Sequence, residues 1–275
     1  MDNNERVEGD AERAEERGDF ETAFPLWLRL ASSTKDPVFY CRAGHAAIEI
    51  RCWAAAESAF KEALGADSRS QSAMSGLGLL FLHRTDVNES AALKEAMYWF
   101  TKALEIERNA RILTFLGNTS KAMNYRDDAV RYLEEAIQLD RNYEEAYFIL
   151  AKLEKESRPE VAKHLLRRAI DIDPEYLNAH QELGNLLHKE GDILGAEHHF
   201  RRCVEIQPNE YWSRLYLANA LAVQKRLMEA EEQYRAAIAL QPDEESGIRF
   251  FANFLDELSR ATEAAELRSR IRLQS

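Results

Sequence analysis

The stretch that decides the fold is YLNAHQELGNLLHKEGDILGAEHHFRRCVEIQP, residues 176–208. Ala196 is followed four positions later by the bulky Phe200, and three positions after that by the small Cys203. Spacings of four and three place side chains on one face of an α-helix. Pro208 comes next, and proline cannot continue an α-helix. The segment therefore predicts a helix with one apolar face that ends before this proline.

The same spacing recurs along the chain. Aligned on the alanine, eight copies are found, at Ala23, Ala56, Ala96, Ala129, Ala162, Ala196, Ala230 and Ala264. Successive copies lie 33, 40, 33, 33, 34, 34 and 34 residues apart. A fixed period of this length is typical of repeat proteins, in which each unit buries its apolar face against its neighbours. We therefore predict an all-α fold built from about eight helical repeats.

A first helix precedes most of these alanines, and a large residue followed by a small one marks it. The pairs are Ala43-Gly44, Leu77-Gly78, Leu116-Gly117, Leu150-Ala151, Leu183-Gly184, Leu217-Ala218 and Phe251-Ala252. Glycine inside a helix costs about 1 kcal/mol relative to alanine, so its recurrence predicts a close approach of the partner helix. This pattern resembles the tetratricopeptide repeat family, best over residues 176–243. The resemblance implies antiparallel helix pairs stacked into a right-handed superhelical solenoid with a concave groove.

We expect a single solenoid over residues 1–275, with three departures from the repeat. Residues 1–17 are highly charged and predict a polar capping helix or a partly ordered segment. Residues 83–93 hold an insertion that predicts a longer loop or an elongated helix in repeat three. Residues 245–275 form a C-terminal capping repeat, in which Arg268 takes the usual apolar position. Terminal repeats expose one face to water, so polar substitutions are expected at both ends.

Composition restricts the class of protein. The formal net charge of −12 opposes a nucleic-acid partner, because such binding depends on Lys and Arg neutralising phosphates. No apolar run approaches the roughly 20 residues needed to span a bilayer. The charged stretch at residues 1–17 does not look like a secretory signal, and the three cysteines form no CxxC pair. We expect a soluble cytoplasmic protein with reduced thiols.

The four histidines of the opening stretch suggest a metal or acid–base site at first sight. His198 and His199 are neighbours that point about 100° apart on a helix, and His180 and His188 lie eight residues apart. None shows the i, i+4 spacing of a helical metal site. We interpret these side chains as solvated and expect no metal or cofactor. No nucleophile signature such as GxSxG is present, so we expect no enzyme activity.

Polar residues follow the small residue of each first helix, where the resemblance places the groove. Four of them are asparagines: Asn118, Asn185, Asn219 and Asn253. A side-chain amide offers a donor and an acceptor to an extended peptide backbone. In the family that the chain resembles, asparagines at this place often contact bound peptides. The alternative is that asparagine is simply common there and bonds locally or to water.

Aromatic and basic residues complete the predicted partner site. The aromatic candidates are Phe115, Trp212, Tyr216 and Phe250, which offer anchoring surface to a partner or instead fill gaps between repeats. The other candidates are Arg111, Lys121 and Lys152, which form a mildly basic patch or only a solvated surface, and His188, expected to face the groove.

We therefore predict a non-catalytic adaptor that holds a peptide or helical segment of another protein in its concave groove. Some members of the family clamp the carboxylate of chaperone tails with lysines, but this chain has Thr114, Gln181 and Leu215 where such lysines would stand. Chaperone-tail binding is therefore disfavoured. The alternative function is a structural or regulatory subunit that docks through its convex face or its ends, or that self-associates.

Overall fold

The computed structural model describes residues 3–272, which form sixteen α-helices and no strand. The chain divides into two compact units, Met1–Leu153 and Glu154–Ser275. The N-terminal unit contains α1 (Asn3–Glu16), α2 (Phe20–Thr34), α3 (Pro37–Glu49), α4 (Trp53–Ala66), α5 (Gln71–His83), α6 (Glu89–Ile106), α7 (Ala110–Ala122), α8 (Arg126–Leu139) and all but the last residue of α9 (Glu144–Glu154). The C-terminal unit contains α10 (Pro159–Ile172), α11 (Leu177–Glu190), α12 (Ile193–Ile206), α13 (Tyr211–Val223), α14 (Leu227–Leu240), α15 (Glu245–Glu257) and α16 (Ala261–Arg272). The predicted all-α class is confirmed, while one continuous solenoid over residues 1–275 stays a prediction.

Helices that are consecutive in sequence pack against one another. In the N-terminal unit α3 packs on α4 and α5 on α6, and in the C-terminal unit α11 packs on α12 and α13 on α14. First helices also contact each other, as α3 does α5 and α13 does α15. All eight alanines that define the repeat are fully buried. Within each unit these helix pairs therefore cover the apolar faces of their neighbours, as a stacked repeat requires.

The glycine of the first helix lies against a bulky side chain of the second. A Cβ built on Gly184 would lie 2.6 Å from Cε1 of Phe200, and one built on Gly117 would lie 2.6 Å from Cγ of Leu133. Real Cβ atoms essentially never approach other atoms this closely. The recurring glycine is therefore explained by close helix packing, as the sequence predicted.

The turn between the two helices of a repeat uses the left-handed backbone conformation. Gly191 has φ 86°, and at the corresponding turns Asn124 and Lys225 have φ 62° and 61°. This conformation is typical of helix C-termini, where it lets the last carbonyls find N–H partners. At residue 191 the amide bonds to the carbonyl of His188, and Asp192 then caps α12 by accepting from the amide of Gly195 at 3.0 Å. The conformation of this turn is therefore explained by two adjacent residues, Gly191 and Asp192.

The insertion at residues 83–93 produces both a longer loop and a longer helix. Helix α5 ends at His83, and α6 begins at Glu89 and is 18 residues long, whereas α12 and α14 have 14 each. Arg84 anchors the loop by ion pairs to Glu57 at 2.8 Å and Asp86 at 2.7 Å. The six added residues are thereby accommodated without breaking the stacking of α5 on α6.

Ion pairs join successive repeats at the position directly after the buried alanine. Glu197 accepts from Arg226 at 2.6 Å, and Glu231 accepts from Arg260 at 2.6 Å. Each arginine stands at the turn of the next repeat. At the equivalent place in α10 the charges are reversed, with Lys163 contacting Glu190 at 2.5 Å. An ion pair is therefore present at this position in all three repeats, but in α10 the cation and the anion have exchanged places.

Both terminal repeats are helical where the structure describes them. In α1, Val7, Ala11 and Ala14 are buried on one face, and the remaining side chains are mostly polar, as expected of a capping helix. In the last repeat Arg268 makes an ion pair with Asp256 at 2.6 Å. Residues 1–2 and 273–275 of the two predicted caps lie outside the described residues. No helix within residues 3–272 combines the length and apolar character needed to cross a membrane.

Candidate functional site

The C-terminal unit contains a cavity of about 640 Å³. Its walls come from the first helices α11, α13 and α15 and from second helices α12 and α14. Six of the residues predicted from sequence line it: Asn185, His188, Tyr216, Asn219, Phe250 and Asn253. The other lining residues are Phe200, Ala222, Val223, Lys225, Tyr234, Phe254 and Glu257. We call this space the C-terminal cavity.

Three asparagine side chains line this cavity, and they differ in the hydrogen bonds that they form with other residues of the chain. The Asn219 Oδ1 accepts from the hydroxyl of Tyr234 at 2.5 Å, and the Asn253 Oδ1 accepts from Arg268 at 2.9 Å. Burial, together with the carboxylate of Glu257, raises the pKa of Tyr234, so its hydroxyl stays protonated as a donor. At Asn219 and Asn253 the amide oxygen is therefore engaged and the NH₂ group remains as the donor toward a ligand.

Aromatic rings form the apolar part of the cavity. Tyr216 stacks on Phe200 with ring centroids 5.5 Å apart and on Trp212 at 6.0 Å. The predicted candidate Trp212 does not line the cavity and reaches it only through its contact with Tyr216. Phe250 is 45% exposed although it lines the cavity, so this ring offers apolar surface to a ligand. Such an exposed aromatic in a concave site is a typical anchor point in protein recognition.

His188 adds a further polar group to the same wall. Its Nε2 atom is buried and has no hydrogen-bond partner among residues 3–272. Buried polar atoms are nearly always paired, so an unpaired one in a cavity wall is available to a ligand or to water. Lys225 and Glu257 also line the cavity and carry opposite charges. The C-terminal cavity is thus close to neutral, with amide, imidazole and aromatic groups predominating.

Val223 and Glu257 belong to this cavity but were not among the candidates from sequence. Each follows a predicted asparagine by four residues, Val223 after Asn219 and Glu257 after Asn253. Residues four apart share a helix face, so this rule alone would have found both. Lys225 follows the end of its helix, and no helical periodicity signals it.

The N-terminal unit has a smaller cavity, of about 420 Å³, which holds two further predicted residues, Phe115 and Asn118. Phe115 stacks on Phe100 at 5.1 Å, and the guanidinium of Arg111 lies 5.5 Å from the Phe115 ring. The inserted residues of α6 form one wall, through Glu89, Ala92 and Leu93. The cavity therefore depends on the insertion.

The predicted basic residues do not gather in either cavity. Arg111, Lys121 and Lys152 are absent from the walls of the N-terminal cavity, and the ammonium of Lys152 lies 5.4 Å from the ring of Phe148. This side chain is therefore occupied by a cation–π contact within its own helix. The proposed role of these three cations in binding stays a prediction.

The interpretation of the histidines as solvated was wrong for two of them. His180 is buried, and its Nδ1 lies 2.9 Å from Nδ1 of His199, which is half-buried. Burial lowers the pKa of both rings, and the proximity of His180 helps to lower that of His199 to about 4. The error arose because the two residues are 19 positions apart on different helices, and helical spacing within one element cannot show that they meet. His198 is exposed, as expected.

Among residues 3–272, thiols and carboxylates form no metal-binding cluster. Cys41, Cys52 and Cys203 are free, and burial raises the pKa of Cys203 to about 12, which keeps it a thiol. Within the described part of the chain no three His, Cys, Asp or Glu side chains are placed to hold a metal ion.

Comparison with known proteins identifies the repeat. One model of the tetratricopeptide repeat matches residues 41–110, and a second matches residues 110–143 and 177–210. No curated protein matches the chain.

Three solved structures illustrate the likeness in fold. A chain in the crystal structure of the APC/C hetero-tetramer Cut9–Hcn1 is 14% identical with a TM-score of 0.71, and the match covers 89% of this chain and 48% of that one. Pseudomonas aeruginosa pilF is 21% identical with a TM-score of 0.66, covering 79% of this chain and 97% of its own. MamA is 22% identical with a TM-score of 0.50, covering 57% of this chain and 96% of its own. This chain thus spans about half of the length of the Cut9–Hcn1 chain that it matches.

At these identities the structures show the fold alone, while the repeat models identify the sequence pattern itself. The glycine–aromatic packing and the left-handed turns explain why that pattern folds into stacked helix pairs. The chain is a member of the tetratricopeptide repeat family.

Proposed function

We propose that this chain is a non-catalytic adaptor that holds a segment of a partner protein in the C-terminal cavity. The observation that carries the proposal is the convergence of three amides and a half-exposed Phe250 from three successive repeats. A volume of about 640 Å³ lies within the roughly 300–1,000 Å³ common for ligand sites, so it accommodates a few side chains rather than a whole domain.

The lining of the cavity specifies the character of the segment. Phe250 and Tyr216 line the cavity and would contact an apolar side chain, and the NH₂ groups of Asn219 and Asn253, whose oxygens are already hydrogen-bonded, would donate to backbone carbonyls. Lys225 and Glu257 balance in charge, so neither an acidic nor a basic segment is favoured overall. We therefore propose an uncharged segment with at least one large apolar residue as the occupant.

The experiment begins with a photo-crosslinking residue at position 250, and the captured partner is then titrated against purified variants. Phe250→Ala combined with Asn185→Ala should weaken binding by about tenfold or more, because a central aromatic anchor contributes roughly 1–2 kcal/mol. Tyr98→Ala is the matched control, since Tyr98 is 52% exposed in the N-terminal unit. Asn219 is left intact because its oxygen is the acceptor for Tyr234. Equal affinity of all these variants would refute binding in the cavity.

A second candidate function, docking through the outer surface, is supported by exposed apolar residues on the second helices. Met228 is 89% exposed and Leu194 is 72% exposed, at the first turns of α14 and α12. Leu194→Asp with Met228→Asp would abolish binding of the captured partner if this surface, and not the cavity, makes the contact. Sedimentation of the same variant at several concentrations tests whether the surface instead mediates self-association.

A further inference from the structure

The contact between His180 and His199 fixes where the protons of both rings lie. The Nε2 of His180 is 3.2 Å from the carbonyl oxygen of Pro174, and a carbonyl can only accept. His180 therefore carries its proton on Nε2, which leaves its Nδ1 as an acceptor. The Nδ1 of His199, 2.9 Å away, must then be the donor. Both rings are neutral, and one N–H···N hydrogen bond joins α11 to α12.

Added protons act on this contact in two steps. The first can enter at the Nε2 of His199, because the resulting imidazolium still donates from Nδ1 to His180. The second can enter only at the Nδ1 of His180, where it takes the lone pair that accepts the bond. Two N–H groups would then face each other between two positive rings. The contact is therefore incompatible with the doubly protonated state.

The surroundings of the pair do not neutralise a positive charge. His180 lies 4% exposed, and burial penalises the charged form of an imidazole. The charged and titratable groups that act on the two rings are Arg167 and Asp173 from the α10 side, Asp192 from the turn, and His198 and Arg202 from α12. Both arginines and His198 oppose protonation while the two aspartates favour it, and burial, the largest cause for both rings, decides.

We propose that the His180–His199 contact is an acid-sensitive closure of the α11–α12 hairpin, which opens when both rings take up protons. The same hairpin supplies Asn185, His188 and Phe200 to the C-terminal cavity. Opening therefore removes one wall of the cavity. The consequence for a bound partner rests on the proposed function, whereas the opening itself does not.

Hydrogen exchange followed by mass spectrometry on the full chain, at pH 7 and pH 5, tests the proposal without any partner. Proton uptake by His199 alone, with a pKa of about 4 in the closed hairpin and near 6.5 in an open one, should lower the protection factors of α11 and α12 amides about 20-fold between pH 7 and pH 5, and uptake by His180 should add to this fall. His199→Asn retains an N–H donor for His180 but cannot take up a proton, so its protection should fall only a few-fold. His164→Asn removes an exposed histidine of α10 and should behave like the unaltered chain.

Three results would overturn the proposal: unchanged protection of the hairpin at pH 5, the same fall in His199→Asn, or an equal fall in α13 and α14. Urea unfolding of each variant at pH 7 verifies that the substitution leaves the chain folded. Because no partner is used, failure here leaves the proposed function standing. Conversely, absence of cavity binding at pH 7 leaves the hairpin result intact.

Discussion

Replacement of Gly184 by alanine tests whether the repeat glycine is required for close helix packing. Alanine is the better helix former by about 1 kcal/mol, so helix propensity alone predicts stabilisation. In the structure, however, the new Cβ would lie 2.6 Å from Phe200 Cε1 and 2.9 Å from its Cδ1. Overpacking a well-filled core costs about 1–3 kcal/mol. We therefore expect Gly184→Ala to be neutral or to destabilise by up to about 2 kcal/mol, despite its favourable propensity.

Gly65 provides the matched control for this substitution. It lies near the end of α4, and a Cβ built on it meets nothing within 4 Å. Gly65→Ala should therefore stabilise by up to about 1 kcal/mol. The assay is urea unfolding followed by circular dichroism, supported by melting temperatures, in which 1 kcal/mol corresponds to about 2–4 °C for domains of this size.

A double-mutant cycle with Phe200→Ala isolates the packing contribution. Removing the ring of Phe200, which is fully buried, should cost about 3–5 kcal/mol by itself. In that background Gly184→Ala meets no ring and should stabilise, giving a coupling free energy of about 1–3 kcal/mol. Stabilisation by Gly184→Ala equal to that of Gly65→Ala, with no coupling to Phe200, would refute the packing explanation.

Two further predictions concern the site and the ion pairs between repeats. Asn219→Ala should destabilise by about 1–2 kcal/mol because it leaves the buried hydroxyl of Tyr234 without its acceptor, whereas Asn185→Ala should be nearly neutral. Urea unfolding midpoints measure both effects. In a Tyr234→Phe background, the two asparagine substitutions should have the same effect on stability. The guanidinium of Arg260 lowers the pKa of Glu231 below its unfolded value, so the pair stabilises above about pH 4.5 and loses its effect as pH falls through the folded pKa. Glu231→Gln should therefore lower stability by roughly 0.5–1 kcal/mol at pH 7 and by progressively less as the pH is lowered below about 4.5, and a loss that does not change with pH would contradict this account.

The fold was predictable from sequence because the determinants repeat and act locally. The buried alanines, the proline after α12 (Pro208) and the turn at Gly191 each depend on residues within one helix pair or its neighbour. Eight copies in phase make the pattern unambiguous, since a stacked repeat needs only nearest-neighbour contacts. The same regularity placed Asn185, Asn219 and Asn253 on corresponding positions of successive first helices.

Only the tertiary structure determines which of these side chains come together and which already form hydrogen bonds within the chain. The asparagine of α13 uses its oxygen for Tyr234, fifteen residues away, and His180 finds His199 on the next helix. Such contacts depend on the distance and rotation between packed helices. Side-chain volumes at the helix interface set both quantities, and the residue spacing within one helix does not encode them. Sequence therefore determined the repeat and its register, while the packing between helices determined the cavity and its free donors.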